Sequence, residues 1–331
     1  MGLSVAIVGA GAWGTALAVA ARRADCDALI WAFEPDVAAA ISRDHRNETY
    51  LPGIDLDPAI RATADIAETA SADILLLAPP AQHLRRTISP LAGRLGKHVP
   101  LVVCAKGIEQ ETGALMSEAV RDAFPENPVM VLSGPTFAAE VARGLPTAVT
   151  LAADRLEDAA RIAAALGSDR FRPYSSDDVV GAQIGGAVKN VLAIACGIAA
   201  GRGFGDNARA ALITRGLAEL TRLCVAKGGR AETMSGLSGL GDLVLTCTST
   251  QSRNYSLGEA LGKGRPLSDI LGERRSVAEG VFTANAAAAL AGRLGVDMPI
   301  AQTIDAVINR SEDIERVIGA LLARPLRPET D

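Results

Sequence analysis

The sequence predicts an α/β protein, with a doubly wound parallel sheet in the N-terminal half and an all-helical C-terminal half. Short apolar, β-rich runs alternate with amphipathic stretches up to about Asp177, which is the pattern of strands joined by crossover helices. Beyond that point long alanine- and leucine-rich stretches of helical period take over. The composition agrees: 49% of residues are hydrophobic but only 3% aromatic, which suits close-packed helices and buried parallel strands better than a β-sandwich. At 331 residues the chain exceeds the roughly 100–200 of one domain, so two are expected, at 1–180 and 181–331.

The predicted strands are Val5–Val8, Ala28–Phe33, Asp73–Ala78, Leu101–Ala105, Val129–Leu132 and Ala148–Leu151. Gly14–Arg22, Val37–Ser42 and Thr112–Phe124 are the helices between them. In the second half the expected helices cover 177–200, 207–227, 256–263, 279–294 and 300–309, and Arg324–Asp331 reads as a frayed tail.

Net charge is −5 with lysine and arginine dispersed, so the basic footprint of a nucleic-acid binder is missing. An anionic ligand must then be held by a few local cations. Met1 leads straight into an apolar strand, and no apolar run reaches ~18 residues without a glycine or charge, so a cytoplasmic protein is expected. The five cysteines (26, 104, 196, 224, 247) form no CxxC pair and read as reduced, buried thiols. The three histidines (45, 83, 98) lie in polar, loop-like stretches that offer neither a triad nor a metal cluster, so no metal is expected.

The first strand runs into Gly9-Ala10-Gly11-Ala12-Trp13-Gly14 and then a helix. In such a turn Gly9 permits the bend, Gly11 admits a pyrophosphate to the backbone, and Gly14 lets helix and strand pack closely. The helix N-terminus supplies N–H groups for the anion, which marks a Rossmann-type dinucleotide site. Glu34 ends the second strand near the ~20-residue offset at which an acid accepts ribose hydroxyls and repels a 2′-phosphate. It also reads as a solvated loop acid, and Arg43 or Arg46 could reach a 2′-phosphate; NADH is expected to be at least tolerated.

Lys189 is the only charge in an apolar stretch from Val179 to Ala195. A buried ammonium is costly, so it either snorkels outward or faces a polar cleft, where desolvation lowers its pKa into general acid/base range. Gly185 and Gly186 weaken the helix just before it, which makes sense where a ligand or another backbone comes close. Asp242 and Thr246 stand four apart on one helical face, and Asp242 is placed to steady Lys189. Gln251-Ser252-Arg253-Asn254 sets small polar donors around one guanidinium, a pattern equally suited to a phosphate monoester or an ordinary turn. Two first-half strands end in Lys106-Gly107 and Ser133-Gly134-Pro135-Thr136, at the edge where open parallel sheets bind ligands.

With these residues assembled, the chain resembles the bacterial-type NAD(P)-dependent glycerol-3-phosphate dehydrogenases from about residue 4 to about 310. The blocks that carry the resemblance are VAIVGAGAWGTALA, CAKGIE, VLSGPTFAAEV, IGGAVKNVLAI, GFGDNARAALITRGLAE, GLGDLVLTCTSTQSRN and VAEGVFTA. It implies hydride transfer between NAD(P)H and dihydroxyacetone phosphate, with Lys189 as the proton acceptor or donor. It further implies Lys106, Gly134, Thr136, Asp242, Ser252, Arg253 and Asn254 at the substrate, and Trp13, Phe33, Ala138, Arg253, Val277 and Glu279 at the cofactor. Asn190, beside the lysine, and Thr246 complete the candidate substrate set; Lys106 counts with Lys189 and Asp242 as catalytic and also borders the cofactor. Phe33 and Pro79-Pro80-Ala81-Gln82 depart from the family's usual residues and leave NADH against NADPH open. A homodimer is expected on symmetry alone.

Two rivals remain at this point. A β-hydroxyacid dehydrogenase pairs similar halves but carries an asparagine four residues beyond its lysine, where this chain has Ala193. A catalytically silent dinucleotide sensor has no need of Lys189, Asp242 and the Gln251–Asn254 block.

Overall fold

The computed structural model describes residues 2–273, 278–326 and 328. Among them the first half runs β1 (Ser4–Val8), α1 (Ala12–Arg23), β2 (Asp27–Trp31), α2 (Pro35–Asp44), β3 (Arg61–Thr63), β4 (Ile74–Leu77), α3 (Leu84–Ile88), β5 (Leu101–Val103), α4 (Met116–Ala123), β6 (Val129–Ser133), α5 (Ala138–Arg143), β7 (Thr147–Ala152), α6 (Leu156–Leu166) and β8 (Phe171–Ser176). The strands make one sheet in the order β3-β2-β1-β4-β5-β6-β7-β8. One apolar core lies on each face, which is why β1 and β4 carry continuous apolar runs instead of alternation.

The sheet is not wholly parallel, because β7 pairs antiparallel to β6. The intervening α5 has six residues, about 9 Å of rise, and β6 is about 17 Å long. So short a helix cannot carry the chain back along the sheet, and β7 starts from the end where β6 stopped. β3 and β8 were not predicted. The first has three residues, and the second is an edge strand whose Phe-Arg-Pro-Tyr-Ser-Ser run buries only Phe171. The predicted helix over 112–124 starts only at Met116, since Gly113 has φ +71° and Ile108 bridges to Leu115.

The second half is helical: α7 (Val179–Gly201), α8 (Gly205–Ala226), α9 (Ala231–Met234), a π-helical turn at Leu237–Gly241, α10 (Asp242–Thr248), α11 (Arg253–Gly262), α12 (Leu267–Gly272), α13 (Glu279–Leu294), α14 (Pro299–Asn309) and α15 (Ile314–Leu322). α7 is long and apolar enough to cross a membrane, yet 89% of its apolar window is buried inside the protein. Its first turn, Val179 and Ala182, belongs to the sheet's core, and Ile184 to Ile198 belong to the helical core. Asp178 caps it by accepting from the Gly181 N–H at 2.8 Å, and Gln183 exchanges hydrogen bonds with Ser117 on α4. α7 is thereby fixed to both halves. Of the predicted tail, Arg327 and 329–331 lie outside the described residues; Arg324 pairs with Asp297 at 2.5 Å.

Candidate functional site

α7 meets its neighbours at glycines. A Cβ at Gly185 would stand 2.2 Å from the Ser238 carbonyl oxygen in the π-helical turn, and one at Gly186 2.5 Å from Ser133 Oγ. The two glycines that weaken the helix therefore admit another backbone and the end of β6. This close approach brings Lys189 to α10, which follows the π turn directly, and α7 to the C-terminal end of β6.

Lys189 is 6% exposed and Asp242 fully buried. Lys189 Nζ donates to Asp242 Oδ1 and, at 2.8 Å, to Thr246 Oγ1, whose own hydroxyl donates to the Asp242 carbonyl at 2.6 Å. Lys106 Nζ donates to Asp242 Oδ2 at 2.6 Å and to the Gly134 carbonyl at 2.9 Å. The expected one-turn spacing of Asp242 and Thr246 thus forms a single polar face. One carboxylate lies between two ammonium groups, leaving a net positive charge. Burial pulls the Lys189 pKa down to about 8, helped by Lys106 and opposed by Asp242. Lys189 neither snorkels nor remains unpaired.

The Gln251–Asn254 segment opens α11, with Ser252 as its cap: Ser252 Oγ accepts from the Tyr255 N–H at 3.2 Å. Arg253 is exposed at the first helical position, beside the N–H groups that attract an anion. The Asn254 side chain, in contrast, is already engaged. It donates to Asn190 Oδ1 at 3.0 Å and accepts from the Gly280 N–H at 3.0 Å, joining α7, α11 and α13. Thr136 Oγ1 lies 3.3 Å from the Gly134 carbonyl, next to the Lys106 bond.

On the sheet side Gly9 has φ +114°, a left-handed conformation that glycine tolerates. A Cβ at Gly14 would overlap the Gly9 carbonyl oxygen at 1.8 Å, while one at Gly11 meets nothing within 4 Å. The turn is therefore packed where helix meets strand and open where a pyrophosphate would approach, which fits a dinucleotide on the N–H groups from Ala12 onward. The buried Trp13 Nε1 has no acceptor. Phe33, 75% exposed, extends beyond Trp31 and its ring meets that indole edge-on. Glu34 accepts from Tyr50 at 2.8 Å. Ala138 opens α5, which packs on α1. Half-buried Glu279 accepts from the Ala81 N–H at 3.3 Å; burial raises its pKa, and the Ala81 bond and Arg253 oppose the rise. Val277 lies outside the described residues.

Sequence reasoning missed Asn47 and Tyr50, whose partners are the glycine turn and Glu34. It also missed a cavity of about 760 Å³ among α7, α8, α14 and α15, lined by apolar side chains with Arg215, Glu219, Arg222, Asp297 and Arg324. None of the predicted site residues lines that cavity.

Two family profiles match the chain: "NAD-dependent glycerol-3-phosphate dehydrogenase N-terminus" over 4–159 and the corresponding "C-terminus" over 178–319. A glycerol-3-phosphate dehydrogenase [NAD(P)+] of Rhodospirillum rubrum is 57% identical across 98% of this chain and 93% of its own. One from Paramagnetospirillum magneticum is 62% identical over 79% of this chain and 95% of its own. Among solved structures, the glycerol-3-phosphate dehydrogenase of Coxiella burnetii superposes with a TM-score of 0.93 at 35% identity, covering 98% of this chain and 99% of that one.

Proposed function

Because the chain belongs to the NAD-dependent glycerol-3-phosphate dehydrogenase family, we propose that it interconverts dihydroxyacetone phosphate and sn-glycerol 3-phosphate with NAD or NADP, supplying the glycerol backbone for glycerophospholipid synthesis. The observation that carries the reading is the buried Lys189–Asp242–Lys106 cluster at the junction of the two halves.

The nicotinamide, when bound, supplies or accepts the hydride at substrate C2. The residues of the chain do the rest. Lys189 holds a proton for the ketone oxygen and removes it from the alcohol in reverse; a pKa of about 8 leaves both forms accessible near neutrality. Asp242 and Thr246 fix the ammonium, and Lys106 adds a second positive charge, which favours an oxygen that becomes anionic in the transition state. Arg253 and the N-terminus of α11 take the phosphate. Asn254 contributes its backbone there, while its side chain aligns Asn190 beside the lysine. Gly9, Gly11, Ala12, Trp13 and Gly14 hold the pyrophosphate region, and Phe33 and Glu34 the adenosine end.

A homodimer in the cytoplasm is the expected setting. The test is consumption of NADH and, separately, of NADPH with dihydroxyacetone phosphate, in parallel with a panel of 2-keto and 3-keto acids. The reading requires the phosphorylated ketone to be preferred by orders of magnitude; a faster keto acid, or no turnover of any, contradicts it.

A further inference from the structure

One short stretch of the segment between α2 and β3 is hydrogen-bonded both to the glycine turn and to Glu34. His45, at φ +51°, ends α2 and turns the chain back. Asn47, 2% exposed, donates through Nδ2 to the Ala10 carbonyl at 2.7 Å and to Thr15 Oγ1 at 2.8 Å. Its Oδ1 accepts from the Tyr50 N–H at 3.2 Å, and the Tyr50 hydroxyl donates to Glu34 Oε1 at 2.8 Å. Four residues therefore tie the glycine turn to Glu34, which lies three residues beyond β2, at the N-cap position of α2, and not at the strand end where the sequence put it.

That tie has a chemical consequence. Glu34 and partial burial raise the Tyr50 pKa, so the phenol stays protonated and donates. A carboxylate held at one oxygen keeps its second oxygen, and a spare lone pair on the first, for the two vicinal hydroxyls of a ribose. Its fixed negative charge opposes a 2′-phosphate. The nearest arginines in sequence, Arg43 and Arg46, pair at the surface with Asp44 and Asp55, each at 2.6 Å.

We propose that Tyr50 is the positioning residue that sets cofactor choice: acting through Glu34, it selects the free ribose diol of NADH over the 2′-phosphate of NADPH, while Asn47 holds the turn that both cofactors share. The proposal rests on the dehydrogenase reading and deepens it.

The test is equilibrium binding of NADH and NADPH to the full chain without ketone substrate, followed by nicotinamide fluorescence. The wild type is expected to bind NADH at least severalfold more tightly. Tyr50→Phe should lower the NADH/NADPH affinity ratio about fivefold to tenfold, the effect of losing one hydrogen bond to a charged group. Glu34→Gln should lower it at least as far, and adding Tyr50→Phe to Glu34→Gln should lower it no further, since the tyrosine acts through the glutamate. Asn47→Ala, which releases both the glycine turn and the Tyr50 N–H, should weaken both cofactors, with a fall in the ratio no larger than that of Tyr50→Phe. A wild type at parity or favouring NADPH, a Tyr50→Phe ratio within twofold of wild type, or a further drop in the double variant overturns the proposal. Failure of the wild type to bind either cofactor overturns the dehydrogenase reading itself.

Discussion

Lys189 is held in a state that neither bulk water nor an apolar core would give it. Desolvation lowers its pKa, Lys106 lowers it further, and the Asp242 carboxylate prevents it from losing its proton altogether. The direction of the pH dependence follows. Below about 8 the ammonium carries the proton that ketone reduction needs; above it the amine is ready to take the proton from the alcohol. The kcat/KM for reduction, which reports the groups of the unliganded enzyme, should therefore fall as pH rises through about 8, and the kcat/KM for oxidation should rise over the same interval. Parallel profiles in the two directions would remove Lys189 from proton transfer. Arg253 acts on binding instead: Arg253→Ala should raise KM for dihydroxyacetone phosphate roughly tenfold to a hundredfold through lost charge-assisted bonds. An unchanged KM would take it out of the phosphate site.

The helices that carry these residues are placed by glycine. Along α7, Gly197 and Gly201 face α11, and Gly258 and Gly262 face back: a Cβ at Gly197 would lie 2.1 Å from the Tyr255 carbonyl, and one at Gly258 2.1 Å from that of Ile194. The two backbones are nearly in contact, so the lysine on α7 and the arginine on α11 are set by rigid elements. Gly258→Ala should cost about 1–3 kcal/mol of stability, read from denaturant midpoints, because neither carbonyl can retreat without moving its helix. A neutral substitution would mean the crossing is loose. This level was only partly legible in the sequence. A lone lysine in an apolar run, an Asp–Thr pair one turn apart and polar loops at strand ends are local patterns with local meaning. Asn47 and Tyr50 gave no such signal, because they are polar residues in a polar loop whose partners lie 16 to 37 positions away. The antiparallel β7 was hidden for a related reason: its run of residues is that of any buried strand, and only the length of α5 sets its direction.

At the scale of the molecule the two halves divide the work. The sheet half carries the open glycine turn and Glu34, and the helical half carries Lys189, Asp242 and the N-terminus of α11. Lys106, from the end of β5, reaches across to Asp242 at 2.6 Å and joins them. Because Asp242 keeps Lys106 when Lys189 is removed, Lys189→Ala leaves no carboxylate without a cation, and the chain should still fold. The decisive measurement compares this variant with wild type for NADH binding and for turnover of dihydroxyacetone phosphate. The expected result is near-normal NADH affinity with turnover abolished; a variant that retains even a tenth of the wild-type kcat would show that the buried ammonium is not the group that exchanges the proton.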